Sequence, residues 1–192
     1  MRAIIILFFA LTTMSAEVPP YLRDVVGKTP DKQTLSRLSG EERSTFLQSW
    51  VMLRFHDVSP SYETGEKKVV PTLAEPMRHH YFVFRVGYSV SNGGLTGYFD
   101  VGDPPQFVPE AIAAFEAIGA RKQAQLLREA SPIFAKRLQA YRRVEGTAKE
   151  ESFFADTDAE FERLDARCAD LDWFLLKERL KYIEQNIGKF HR

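Results

Sequence analysis

The chain predicts an all-α fold, and three observations carry that prediction. Apolar residues recur at steps of three and four in several separate stretches, the spacing that gathers them on one face of a helix. Residue pairs of the capping-box type, Ser39 with Glu42 and Thr157 with Glu160, stand just before such stretches. The one hairpin-like segment, Val86 to Val101, has no convincing second pair of strands to cover it, and an isolated hairpin is marginal in water. With 192 residues and 44% hydrophobic content the chain can bury a real core. The expected product is a single compact domain of about six to eight helices, following a cleaved N-terminal signal peptide.

The leader comes first. Met1-Arg2 supplies a minimal positive start, Ala3 to Leu11 is unbroken apolar sequence, and Thr12 to Ala16 is small and weakly polar before Glu17-Val18-Pro19-Pro20. The apolar run falls short of the roughly 20 residues that cross a bilayer. Residues 1–16 therefore read as a secretory signal cleaved after Ala16, which predicts export to the periplasm or the medium and no stable membrane anchor afterwards. Cys168 is the single cysteine, so no disulfide forms within the chain and packing must supply the stability. Its place in an apolar stripe marks a buried, inert thiol.

Residues 17–43 read as an N-terminal extension with one short helix, for which Thr29 is the expected N-cap and Pro30 the first helical residue. The main helical domain follows at 44–190. Ser39 and Glu42 start a helix that carries Phe46, Leu47, Trp50 and Val51 on one face and ends near His56. Residues 57–68, rich in Ser, Gly, Glu and Pro, read as a surface loop, and Pro71 and Pro76 frame the start of the next helix. Asp103-Pro104-Pro105 is a stop, after which Val108, Ala111, Ile112, Phe115 and Ile118 keep helical spacing until Gly119. Ala120 to Ala130 forms the second of three short helices in series, and Pro132 opens the third with Phe134, Leu138 and Tyr141. From Thr157 a long stripe runs through Phe161, Leu164, Cys168, Leu171 and Leu175, widened by Leu176, Leu180, Ile183 and Ile187.

The segment VGYSVSNGGLTGYFDV is ambiguous by local rules, because Asn92-Gly93 between β-favouring runs also suits a tight hairpin turn. Its pattern Val90-x-Asn92-Gly93-Gly94-Leu95-x-x-Tyr98-Phe99, followed by the Ala111 to Ala130 run with its Ile118-Gly119-Ala120 break and by Tyr182-Ile183 in the closing helix, resembles the DNA-mimic protein family over roughly Ser44 to Ile187. Most members of that family are domains of unknown function. The resemblance implies a helical domain in which Asn92, Gly93, Gly94, Tyr98 and Phe99 form a structural turn: a helix stops near Asn92, the glycines permit a tight reversal, and Leu95 to Phe99 begins another turn. It also implies a protein partner. Leu95 and Gly97 depart from the family pattern, which has an aromatic and then a glutamine there.

Charge bounds the partners further. Lys plus Arg equals Asp plus Glu, and removal of Arg2 with the leader leaves one surplus acid, a balance that argues against direct nucleic-acid binding. The acids are uneven, however: residues 150–172 carry nine of them against Arg163 and Arg167. Asp158, Glu162, Asp165 and Asp172 fall at helical spacing, so they form a candidate acidic face for a basic protein surface. No catalytic spacing stands out, and neither a metal nor a cofactor is expected. Gly87-Tyr88-Ser89-Val90-Ser91 misses the last glycine of a nucleophile elbow. His79-His80, with Glu75 four residues earlier, lacks a third ligand and reads as a surface pair. The chain is thus expected to bind a macromolecule, with a small hydrolase using carboxylates or Ser89, or a purely structural envelope protein, as the alternatives.

Overall fold

A computed structural model describes residues 18–100, 104–155 and 159–191, so the expected leader and the expected cap at Thr157 lie outside the described residues. The fold is all-α, with no strand among the described residues. A 3-10 helix, Pro20–Val25, leads into α1 (Lys32–Ser36), α2 (Gly40–Val58), α3 (Tyr62–Val69), a 3-10 turn at Val70–Thr72, and α4 (Glu75–Tyr98). After these come α5 (Val108–Ala117), α6 (Arg121–Tyr141), α7 (Glu150–Ala155), α8 (Ala159–Cys168) and α9 (Leu176–Gln185).

α4 is the hub, packed by α2, α5, α8 and α9. Its buried stripe of Met77, Val83, Val86, Val90 and Leu95 joins Leu47 and Val51 of α2, Phe115 of α5 and Leu127 of α6 in one continuous core. Leu22, Val25 and Leu35 of the N-terminal extension belong to the same core. Cys168 is buried there too, and burial, reinforced by nearby Asp165, pushes its thiol up to about 12. Among the described residues no helix is long and apolar enough to cross a membrane.

The Ser39 and Glu42 capping box is present, with the Glu42 carboxylate accepting from Ser39 N at 2.7 Å. Four local expectations are corrected. The first helix is capped by Asp31 rather than Thr29, its Oδ1 accepting from Thr34 N at 2.7 Å. Residues 62–68 of the expected loop belong to α3, because Gly65 lets this helix lie directly on α2. A Cβ there would meet the Phe55 Cβ and carbonyl oxygen at 2.9 Å.

Pro132 lies inside α6, so two helices stand where three in series were expected. Proline removes one hydrogen bond, to the carbonyl four residues back. Here both Pro132 and Arg128 are exposed, so the missing bond lies on the outer side of the helix. The closing stripe is broken into α8 and α9 by a turn in which Leu175 takes a left-handed φ of 47°. The added α3 and this break bring the described residues to nine α-helices.

Candidate functional site

The Asn-Gly-Gly segment is a bend inside α4. Gly93 and Gly94 leave helical geometry, Gly94 at φ 66° and ψ −167°, after which one more helical turn runs to Tyr98. The chain folds back enough that a Cβ on Gly97 would lie 3.2 Å from the Ser89 carbonyl oxygen. Asn92 Nδ2 donates to the Tyr88 carbonyl at 2.8 Å, while Tyr98 and Phe99 are buried. Phe99 packs its ring against Phe134 and Phe161 at 5.1 and 6.1 Å.

The bend is held from outside by Asp165 of α8. Its carboxylate accepts from Leu95 N at 2.5 Å and from Thr96 Oγ1 at 3.3 Å, taking up a donor that the broken helix leaves without a partner. Gly94 leaves room for it, since a Cβ there would stand 2.7 Å from Asp165 Oδ1. Asp172 does similar work one turn later. Its Oδ1 accepts from Phe174 N at 2.9 Å and Leu175 N at 3.2 Å, and its backbone carbonyl accepts from Gln123 at 2.9 Å. Of the predicted acidic face, then, Asp165 and Asp172 are turned to backbone N–H groups, Glu162 is exposed, and Asp158 lies outside the described residues.

The histidines are not a surface pair. His80 is 1% exposed between α2, α4 and α9, where its ring Nε2 stands 3.2 Å from the Ser44 carbonyl oxygen and Nδ1 has no partner. Burial, helped by the neighbouring Arg179 charge, lowers its pKa to about 3. His79 is half-buried with Nδ1 at 2.7 Å from the Tyr182 hydroxyl. Arg179 is itself buried, donates to Ser44 Oγ at 2.6 Å and to the Phe174 carbonyl at 3.3 Å, and lies over the Phe84 ring at 5.3 Å. Loss of hydration lowers its pKa to about 10, so it stays cationic at neutral pH. Among the described residues no three His, Cys, Asp or Glu are grouped for a metal.

A groove of about 260 Å³ lies between α2, α3 and α4, lined by Gln48, Met52, Tyr62, Tyr81, Phe84, Arg85 and Tyr88. Phe84 and Tyr88 stack at 6.2 Å, and the Arg85 guanidinium lies 5.6 Å from the Tyr62 ring centroid. Tyr88 is 55% exposed. The groove floor is a hydrogen-bond chain. Tyr81 donates to buried Glu66, so the 2.6 Å contact between the two tyrosine hydroxyls places Tyr62 as donor to Tyr81. On the far side of Tyr62 and Arg85 is a polar cavity of about 210 Å³ bounded also by Glu66, Tyr98, Asp100 and Gln106.

Burial, with Glu66 nearby, raises both Tyr62 and Tyr81, which therefore hold their protons at neutral pH. Ser89 Oγ accepts from Arg85 Nη1 at 2.6 Å, and a permanently charged guanidinium cannot take the hydroxyl proton. The groove thus combines apolar ring faces, fixed hydroxyls and a cation. Tyr81, Phe84, Arg85 and Tyr88 follow one another at steps of three, one and three along α4, so their shared face was available in the sequence. Their partners on α2 and α3 were not.

Residues 71–186 match the family described as DMP19-like protein. No curated protein and no solved structure matches the chain.

Proposed function

The chain belongs to the DMP19-like protein family, and from that premise we propose that it is an exported, non-catalytic protein-interaction module whose contact surface is the groove between α2, α3 and α4. One observation carries the choice of surface: Met52, Tyr62, Phe84, Tyr88 and Arg85 are gathered in a single concave patch. Tyr, Arg and Met are the residue types enriched where protein interfaces concentrate their binding energy, because they offer large rigid area and directed donors at low entropic cost. The family supports a protein partner. The apolar run at residues 3–11 supports export. Of the predicted acidic face, exposed Glu162 can add charge complementarity to a partner, whereas the Asp165 and Asp172 carboxylates accept from backbone N–H groups.

Affinity capture of residues 17–192 from the native envelope tests this reading, beside variants Tyr88→Ala and Glu162→Gln. The expected result is a stoichiometric protein partner lost with Tyr88→Ala and largely retained with Glu162→Gln. A partner retained by Tyr88→Ala would show that the groove is not the contact surface.

A further inference from the structure

The geometry points to a specific element of that partner: the groove receives the free C-terminal carboxylate of a polypeptide ending in an apolar residue, with Arg85 holding the carboxylate and Tyr62, Phe84, Tyr88 and Met52 holding the last side chain. This inference rests on the protein-interaction reading above. Among the described residues that line the groove, Arg85 alone is charged. It is half-buried, its guanidinium is laid against the Tyr62 side chain, and it donates to the neutral Ser89 hydroxyl. Among the described residues no carboxylate lies within ion-pair distance of it on the groove side, while Glu66, which accepts from Tyr81, attracts it from the polar cavity on the far side.

A guanidinium has five donors in a rigid fork that matches a carboxylate, and a partly dehydrated one beside aromatic walls gains strongly from such a pair. The size of the groove narrows the source of that carboxylate. At about 260 Å³ it is smaller than the usual small-molecule site and has room for one anchoring side chain and its neighbour group. A chain end carries its carboxylate and its last side chain on the same Cα and leaves in one direction. An internal acid would need a second residue for the apolar anchor and two exits. Capture of a terminal carboxylate is a recurring mode of peptide recognition.

Fluorescence anisotropy with an N-terminally labelled hexapeptide ending in Ala-Phe, as the free acid and as the C-terminal amide, tests the inference on the mature chain. The free acid is expected to bind roughly tenfold or more tighter than the amide, the effect of one charge-assisted bidentate pair. Arg85→Met should remove that preference, and Arg85→Lys, which keeps the charge without the fork, should retain part of it. A thermal melt of each variant separates lost binding from lost fold. Equal binding of acid and amide, a preference that survives in folded Arg85→Met, or no binding of either peptide would overturn the inference. So would binding of 4-phenylbutyrate as tightly as the free-acid peptide, which would make the groove a small-acid site. If acid and amide bind equally while Tyr88→Ala still loses the captured partner, the interaction reading stands and the carboxylate reading falls.

Discussion

Two buried or half-buried side chains, Asp165 and His80, carry the clearest consequences for single residues. Asp165 holds the bend of α4 through Leu95 N and Thr96 Oγ1, so Asp165→Ala leaves a part-buried N–H without its acceptor. The expected loss is about 1–2 kcal/mol, comparable to removal of a helix cap, read as a lower urea midpoint. Glu162→Gln, at an exposed position, should stay within about 0.5 kcal/mol of the parent. Equal stability of the two variants would remove Asp165 from the account of the bend.

His80 makes stability depend on pH, and the sign is fixed by its lowered pKa. The unfolded chain binds the proton near pH 6.5, the folded chain only near 3. The contribution of the neutral ring is therefore complete above 6.5 and is lost as pH falls toward 3, with a slope approaching about 1.4 kcal/mol per pH unit. Half-buried His79, lowered by burial, acts in the same direction. Urea denaturation between pH 6.5 and 5, above the carboxylate range, should show a steeper decline in the parent than in His80→Gln. Parallel slopes would contradict the assignment. Asp165 and Cys168 stood out in the sequence by position within a stripe, yet the carboxylate could be read as a surface charge because nothing in one dimension shows that Leu95 lies against it.

Among the elements, those written by neighbouring residues were legible. The Ser39 and Glu42 box, the stop of α5 before Gly119 and the proline at the start of α4 each depend on contacts within a turn or two. Those written by distant residues were not. α3 has a polar, loop-like composition, and it is helical because Gly65 seats it on Phe55 and Tyr62 and Glu66 join Tyr81. The break between α8 and α9 depends on Asp172 taking two N–H groups and Gln123 reaching in from α6. Pro132 looked like a start because proline favours the first helical turn, but Leu127, Ala130 and Phe134 are buried on either side of it and carry the helix through. Pro132→Ala restores a backbone donor at an exposed position, and an increase in stability of about 1–2 kcal/mol is expected, with a rise of about 2–4 °C in Tm for each. A fall in Tm would show that the packing of α6 requires the proline geometry.

For the whole molecule, the fold class and the family were readable from the sequence, and the site was readable only in part. Tyr81, Phe84, Arg85 and Tyr88 share a helical face, but a face becomes a groove only where α2 supplies Gln48 and Met52 and α3 supplies Tyr62. The acidic segment is visible as charge in one dimension, whereas the Asp165 carboxylate is engaged by Leu95 N, 70 residues away in sequence, and Asp172 caps Phe174 N and Leu175 N in a turn that Gln123 reaches from 49 residues away. The molecule that results is a helical core around α4 whose one bend is clamped by α8 and whose surface gathers aromatic rings around Arg85. The most direct test of this surface is photo-crosslinking in the native cells with benzoylphenylalanine in place of Tyr88 and, separately, in place of the exposed Glu116 on α5. A discrete adduct with one protein from position 88 and none from position 116 is the predicted result. The same adducts from both positions, or adducts from 116 alone, would contradict the claim that the groove is where the partner binds.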